Sequence, residues 1–424
     1  MKYLSTFLAR LIHLRITTVF VMVLLLSGCG DKKPVDRMSD EALRAYADTL
    51  AHRYLITDGH VDLPFRLKVK NFRIEREYMG IPIESAEGDF DYVRARKGGL
   101  DAPFMSIYIP AGYQQLPDMG RVLADSMINM VQGIATHLPD KFALANTTEE
   151  LQQNFKAGKI SLPMGMENGA PIGNDIANVK YFFDRGIRYI TLTHSKDNQI
   201  CDSSGDTTRT WGGLSPFGKQ VVAEMNRLGI MVDISHVDDS TFYQVMKLTQ
   251  VPCIASHSSC RSFAPKVRRD MTDDMIRELG KNGGVMMINF YTAFLSGEVW
   301  RHNRQIDSLL RANGLSSSDS SAKTLIAAFR ETHPKPATDA QTVANHIDRA
   351  VSLAGIDHVG LGSDYDGVDG GENLPDGLKD VSQYPNLIYE LLKRGYSESD
   401  IEKICSGNLI RVWKQAEEFA RASH

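Results

Sequence analysis

The sequence predicts an α/β chain folded as a single (β/α)8 TIM-like barrel. Two observations carry that expectation: short apolar runs alternate with longer segments of helical period, and the runs number eight. The candidate strands are Tyr54–Thr57, Pro103–Ile109, Ser161–Met166, Tyr189–Thr193, Ile230–Ile234, Pro252–Ala255, Val285–Asn289 and His358–Gly362. Between them the period predicts helices over Arg121–His137, Ala177–Arg185, Phe217–Leu228, Asp239–Leu248, Asp273–Lys281 and Thr342–Ala354. C-terminal helices over Tyr384–Arg394 and Glu398–Ala420 close the chain. Asn174 or Asp175 can cap the helix that ends at Arg185-Gly186. Thr272, followed by Asp273 and Asp274, reads as a cap with two carboxylates on a positive helix start. The connection from Asn289 to His358 is far longer than a usual barrel loop. It makes a long insertion between the seventh and eighth strands, with helix-like pieces at Gln305–Ala312 and Lys323–Glu331. We expect it to serve as a lid that restricts substrate size, or as the contact of a homodimer.

Ahead of the barrel the chain reads as an address. Lys2, Arg10 and Arg15 give a positive start, and an apolar run follows from about Ile16 to Leu26. That run is roughly 11 residues long, against the ~20 needed to span a bilayer, so it reads as a signal h-region. It ends in Leu26-Ser27-Gly28-Cys29, which resembles the bacterial lipoprotein box, where cleavage precedes a cysteine that then carries lipid. The expected organisation is a signal peptide over residues 1–28, a polar tether over 29–40 and the hydrolase barrel over 41–424. The expected product is an exported lipoprotein, membrane-anchored through Cys29 and facing the periplasm or the cell surface. An ordinary signal peptide with a nearby free cysteine is the alternative.

Loss of residues 1–28 removes three basic groups and no acidic ones, so the formal charge goes from −4 to −7. A mildly acidic product without a basic run does not bind nucleic acid by bulk charge. Cys201, Cys253, Cys260 and Cys405 remain in the body. Export would permit them to pair, but a chain of nearly 400 residues buries a large core without staples. No Cys-x-x-Cys occurs, which gives a zinc ribbon or a redox dithiol no support. No Pro- or Ser-rich linker divides the body, and no internal repeat is present.

In a (β/α)8 barrel the active site is built at the C-terminal strand ends, so the residues just after each strand are the ones to read. The first strand is followed by Asp58-Gly59-His60-Val61-Asp62, where alternation turns His60 and Asp62 to the same side. Glu167 follows the third, His194 the fourth, His236 the fifth, His257 the sixth and Asp364 the eighth. Any one of these is as well explained by a hydrogen-bonded core histidine or a capping aspartate. Six of eight strands ending in residues that bind divalent metals or move protons is a pattern. The other histidines act as a control: His52, His137, His302, His333, His346 and His358 fall in helices, in the long connection or at the opposite strand end. Asp364-Tyr365-Asp366-Gly367 fails as a calcium loop because Asp369 stands where the required glycine belongs. There is no His-Glu-x-x-His, no Gly-x-Ser-x-Gly and no P-loop.

Two histidines, a glutamate and a His-x-Asp pair exceed the needs of one four-coordinate zinc. Two metals sharing a carboxylate would use them all. In that arrangement His60 and Asp62 hold one ion, His236 and His257 the other, and Glu167 bridges. A hydroxide held between the ions is the expected nucleophile. Asp364 fits a general base that passes a proton to the leaving amine, and His194 fits a group that polarises the scissile carbonyl.

The motifs DGHVD, MGMEN, TLTH, VDISHV, ASHSS and HVGLGSDYDG, taken in order, resemble those of the membrane (renal-type) dipeptidases, metallopeptidase family M19 of the amidohydrolase superfamily. The resemblance runs from about Tyr46 to Trp413 and includes the closing YPNLIYELLKRGYSESDIEKICSGNLIRVW. It implies a binuclear zinc enzyme that hydrolyses dipeptides and tolerates a D-residue at the C-terminal position. It also implies His60, Asp62, Glu167, His236 and His257 as ligands, Glu167 bridging two Zn2+, and His194 and Asp364 contacting substrate. The family binds the dipeptide's free carboxylate through an arginine after the sixth strand. Here counting back from Asp273-Asp274 selects Arg269, and counting forward from His257 selects Arg268. Asp270 stands where the family has asparagine, and a surface arginine pairing with Asp273 or Asp274 is the bland alternative. Two other functions share these features: a same-fold amidohydrolase acting on a non-peptide amide, lactam or ester, and a lipid-anchored binding protein that keeps the barrel without catalysis.

Overall fold

Parallel pairing builds the barrel from eight strands: β1 (Ile56–Val61), β2 (Leu100–Tyr108), β5 (Met164–Glu167), β6 (Ile187–Thr191), β7 (Met231–Asp233), β8 (Ile254–Ser258), β9 (Val285–Ile288) and β10 (Val359–Leu361), in that spatial order. A separate parallel pair, β3 (Phe142–Leu144) and β4 (Ile160–Leu162), lies outside it. The structure is a computed structural model that describes residues 38–71, 81–116 and 118–423. The expected signal peptide and Cys29 lie outside the described residues, as does the tether up to residue 37. Arg44–His424 form one unit; residues 38–43 belong to another, and the helix Asp40–Arg53 begins there.

All eight expected strands are present, and the fold is the expected barrel. β1 runs on through Asp58-Gly59-His60 to Val61. The third candidate strand divides at Pro163, which has no N–H to give to a ladder; its carbonyl instead accepts from Met105 N–H (2.8 Å). Residues before it leave for the outer pair, and Met164–Glu167 joins the barrel. The seam between β10 and β1 is closed beyond the strands by Asp62 N–H to Tyr365 O (2.8 Å) and Asp364 N–H to His60 O (3.1 Å).

Strand residues are buried on both faces, as in a parallel sheet wrapped by helices. Ala102, Phe104, Tyr189, Met231, Ile254, Val285 and Met287 share one apolar cluster with Leu409, Val412, Trp413 and Ala416 of the last helix. That helix was expected as one piece over Glu398–Ala420. It is Glu398–Glu402 and Asn408–Ala422 joined by a wide turn at Lys403–Gly407, where Cys405 O accepts from the Thr57 hydroxyl (2.9 Å). Helices at Asp40–Arg53, Leu63–Val69, Tyr92–Gly98, Thr148–Lys156 and Thr292–Leu295 were not foreseen; each is short or has a weak period. Cys201, Cys253, Cys260 and Cys405 are buried and unpaired.

The two helix-like pieces of the insertion lie within the helices Gly297–Ala312 and Ser320–Thr332, which pack around their own cluster of Ile306, Leu310 and Ala322. The helix Asp239–Leu248 and the helix Asp273–Lys281 have the expected bounds. Asp175 accepts from Ala177 N–H (3.0 Å) at the start of the helix Ala177–Asp184. Thr272 Oγ1 accepts from Met275 N–H (3.2 Å), which satisfies one otherwise unpaired donor of its helix. Thr272→Ala should therefore lower the unfolding free energy by about 1 kcal/mol, seen as a lower urea midpoint at unchanged slope. An unmoved midpoint would remove the cap from the account of this helix.

Candidate active site

Every strand end named by the sequence points into one cavity of about 740 Å³, lined among others by Asp62, Tyr108, Glu167, His194, Tyr291 and Asp364. Glu167 ends β5 and is 3% exposed. Its two oxygens face different groups. Oε2 lies 3.5 Å from His60 Nε2, whereas Oε1 lies 3.0 Å from His236 Nε2, 3.4 Å from His257 Nε2 and 3.7 Å from His194 Nε2. His60 Nε2 is also 3.3 Å from Asp62 Oδ2.

These spacings fit metal ligands. A tetrahedral ion with bonds of ~2.0–2.1 Å has donors ~3.3 Å apart. His60 Nε2 and Asp62 Oδ1 are buried without a hydrogen-bond partner. His236 Nε2 and His257 Nε2 stand 2.9 Å apart beside Glu167 Oε1; at most one of these three acceptors' needs is met by a shared proton, and a cation meets all of them. Among the described residues three donor triads occur: His60, Glu167 and His257; Glu167, His194 and His236; His60, Asp62 and Asp364. His194, expected to be free of metal, thus stands among the donors, at the longest separation from Glu167 of the four histidines.

The electrostatics follow from burial. Burial pushes the His236 and His257 pKa values well down, with Arg269 adding to it, so both rings are neutral and able to ligate. Burial acts to raise Glu167, but His60, His194 and the hydrogen bonds of His236 and His257 carry it well below the usual carboxylate range. Asp364 is pushed up to about 6, by burial first and then by Asp62 and Glu167, against His60. Asn289 Nδ2 holds its Oδ2 at 2.9 Å.

A second layer orients the ligands. Tyr189 OH is 2.9 Å from His60 Nδ1, and Gly165 makes room for the tyrosine: a Cβ there would fall 2.0 Å from its ring. Asp233 Oδ1 accepts from Ser235 and Ser256 N–H (3.0 and 2.8 Å). Its Oδ2 accepts from the hydroxyls of Thr191 (2.5 Å) and Ser256 (2.6 Å). Ser256 has only one hydroxyl proton. With that proton on Asp233, Ser256 Oγ must accept from His257 Nδ1–H (2.8 Å), which leaves the lone pair on Nε2, facing Glu167.

The two strands without a His, Asp or Glu also contribute. Tyr108 ends β2 with its ring 4.8 Å from that of His194, and Asn289 follows β9. Searching strand ends for metal donors alone passes over an aromatic and an amide.

The arginines separate. Arg269 donates to Ser258 Oγ (2.7 Å) and His257 O (2.6 Å), next to a ligand strand. Arg268 pairs with Asp238. Asp273 and Asp274 pair with Arg349 and Arg277, so neither holds Arg269. The insertion's two helices are absent from the described lining of the cavity, which takes Tyr291 and Phe294 from that connection. Those two residues form a wall at the root of the connection that was expected to serve as a lid or as a homodimer contact.

Gly367 closes the site between the carboxylates: a Cβ there would lie 2.4 Å from Asp62 Oδ2 and 2.5 Å from Asp364 Oδ1. Gly367→Ala should displace both, weaken metal binding in calorimetric titration and cut kcat/KM by ~100-fold. Wild-type metal affinity and rate in that variant would contradict the crowding.

The model of the membrane dipeptidases, peptidase family M19, matches residues 44–424. An uncharacterized dipeptidase of Schizosaccharomyces pombe is 32% identical over 386 residues, covering 88% of this chain and 84% of the relative. Dipeptidase aclJ of Aspergillus oryzae is 33% identical over 378 residues, covering 87% and 80%. Among solved structures, the probable dipeptidase PvdM of Pseudomonas aeruginosa is 25% identical with a TM-score of 0.76, covering 90% of this chain and all of that one. Dipeptidase AC, a metallopeptidase of family M19, is 25% identical with a TM-score of 0.70, covering 86% and 98%. The chain belongs to peptidase family M19, and its barrel of converging carboxylates and imidazoles is that of a metal-dependent dipeptidase of the amidohydrolase superfamily.

Proposed function

We propose that the enzyme works with two Zn2+ ions bridged by Glu167 and cleaves dipeptides of both L-Xaa-L-Xaa and L-Xaa-D-Xaa type. The observation that carries the metal count is the division of the Glu167 oxygens, one towards His60 and the other towards His236 and His257. His60 and Asp62 would hold one ion, His236 and His257 the other. Bound zinc supplies Lewis acidity, lowering the pKa of the attacking water and polarising the scissile carbonyl.

The chain's own groups do the rest. Asn289 fixes one oxygen of Asp364, so the other takes the proton of the attacking water and returns it to the departing amine. His194 donates from its ring to the carbonyl oxygen as negative charge develops there. Arg269 receives the free carboxylate of the C-terminal residue. A guanidinium matches that group with paired donors, and carboxylate binding of this kind selects dipeptides over neutral amides. An N-terminal export signal ending at Cys29 would anchor the enzyme at a membrane surface, where peptides and cell-wall fragments with D-residues would be its substrates.

The test uses the soluble body from about residue 31. Saturated with zinc and dialysed, it should hold two equivalents, lose activity to a chelator and regain it on adding zinc. Asp364→Asn should lower kcat by about 10²–10⁴-fold on a panel of L-L and L-D dipeptides. One equivalent of zinc, or full activity of the variant, would overturn the mechanism. In the full-length chain, Cys29→Ser should move the protein from the membrane fraction to the soluble one; an unchanged distribution would rule out the lipid anchor.

A further inference from the structure

His346 lies in the helix Ala340–Ala354, completely buried and away from the metal donors. Both of its ring nitrogens are in use. Nδ1 accepts from Cys260 N–H (3.0 Å), so it carries no proton, and Nε2–H donates to Leu295 O (3.0 Å). Burial keeps the ring neutral, with its pKa pushed down to about 4. The Phe263 ring packs on it at 4.5 Å between centroids.

The two backbone groups it holds belong to the loop that carries Arg269 and to the segment that carries Phe294, a residue of the cavity lining. Cys260 opens the loop that carries Arg269. That loop is tied to itself by Arg261 N–H to Met271 O (2.8 Å), Met271 N–H to Ser259 O (2.9 Å), and the Arg261 guanidinium to the carbonyls of Arg268 (2.9 Å) and Asp270 (2.7 Å). These bonds brace the loop along its length. Leu295 ends the short helix Thr292–Leu295, whose Phe294 lines the cavity with its ring 5.8 Å from the Arg269 guanidinium. The two segments touch directly at Gly297 N–H to Phe263 O (3.0 Å). His346 adds a second hydrogen-bonded tie between them, beside the contact of Phe294 with Arg269.

We propose that His346 is a positioning residue for recognition of the substrate's C-terminal carboxylate. It holds the Arg269 loop against the Phe294 wall through Cys260 N–H and Leu295 O. The inference rests on the reading of Arg269 given above. It places a specificity determinant on a helix that contributes nothing to the described lining of the cavity.

The experiment compares a dipeptide with its C-terminal amide, using the zinc-loaded enzyme, and reads KM and kcat separately. His346→Leu loses both hydrogen bonds. It should raise KM for the dipeptide about tenfold, the worth of one to two such bonds, with kcat within about threefold and the amide little affected. His346→Gln keeps an acceptor and a donor on one head and should stay near wild type. Combined with Arg269→Ala, which by itself should lower the dipeptide-to-amide ratio of kcat/KM, His346→Leu should add less than about twofold. Equal losses on both substrates, or an undiminished effect without Arg269, would mean a merely structural histidine. If Arg269→Ala leaves the ratio unchanged, the carboxylate reading fails and takes this inference with it. If Arg269→Ala lowers the ratio and His346→Leu does not, this inference alone fails. Should the leucine variant not fold, His346→Asn, too short to span both partners, should lower the ratio while His346→Gln keeps it; identical ratios for the two would refute the role.

Discussion

An ionised carboxylate taken out of water costs several kcal/mol unless charges or donors surround it, and Glu167 is almost wholly buried with four imidazoles about it. Asp62 and Asp364 share the same cavity, so three carboxylates converge while burial holds His236 and His257 neutral. Divalent cations are what such a set balances. The second layer reads as a consequence. Two of the imidazoles aim one particular nitrogen inward while the fold holds the other, as Tyr189 holds His60 and Ser256 holds His257. Asp233 is the anchor behind Ser256, and it binds two strands as well as two hydroxyls. Ligand direction and strand registry thus depend on the same carboxylate.

Barrel closure and site assembly are likewise one event. The last backbone contacts across the β10–β1 seam are made by Asp62 N–H and Asp364 N–H, the amides of two residues whose carboxylates face the cavity. Two site residues also sit in the left-handed backbone region, His236 at φ 68° and Asp364 at φ 66°. Such a conformation costs of order 1–3 kcal/mol away from glycine, less for aspartate than for a ring-bearing residue. It persists where neighbours over-determine it. His236 O is held by Ser204 N–H (2.8 Å). Asp366, two residues beyond Asp364, exchanges hydrogen bonds with Asp89 and pairs with Arg66. The sharp turns lift these side chains off their strands and into the mouth of the barrel.

The eight strands and most of the long helices were legible because a barrel strand is an apolar run and a covering helix is a clear 3.6-residue period. Metal-donor types at six strand ends were legible for a related reason: a polar residue ending an apolar run stands out. Tyr108 and Asn289 did not stand out, since neither is a metal donor, although both sit at the same level of the barrel. Asp233 and Ser256 were visible within VDISHV and ASHSS, but nothing in a string says that one reaches the other from one strand to the next. Pro163 was the readable signal for the divided third strand, and it lay inside a run apolar enough to hide it. Between Arg268 and Arg269 the sequence left a choice that depends on which way the loop turns; Asp238 engages Arg268, which supports the role proposed for Arg269.

The histidines show how far residue type alone carries a functional reading. His60, His257 and His346 are all buried, and burial alone would rank them together. They differ in what their two nitrogens meet. In His60 and His257 one nitrogen is held by a side chain and the other is turned towards Glu167. In His346 both nitrogens are spent on backbone groups, so no lone pair or proton is left for chemistry, and whatever it contributes must pass through the segments it joins. A ligand histidine is half satisfied by its fold and completed by the metal, whereas a structural one is completed by the fold itself. Position at a strand end separates the two in the sequence because that is where the chain leaves the ladder and a side chain can be left half satisfied.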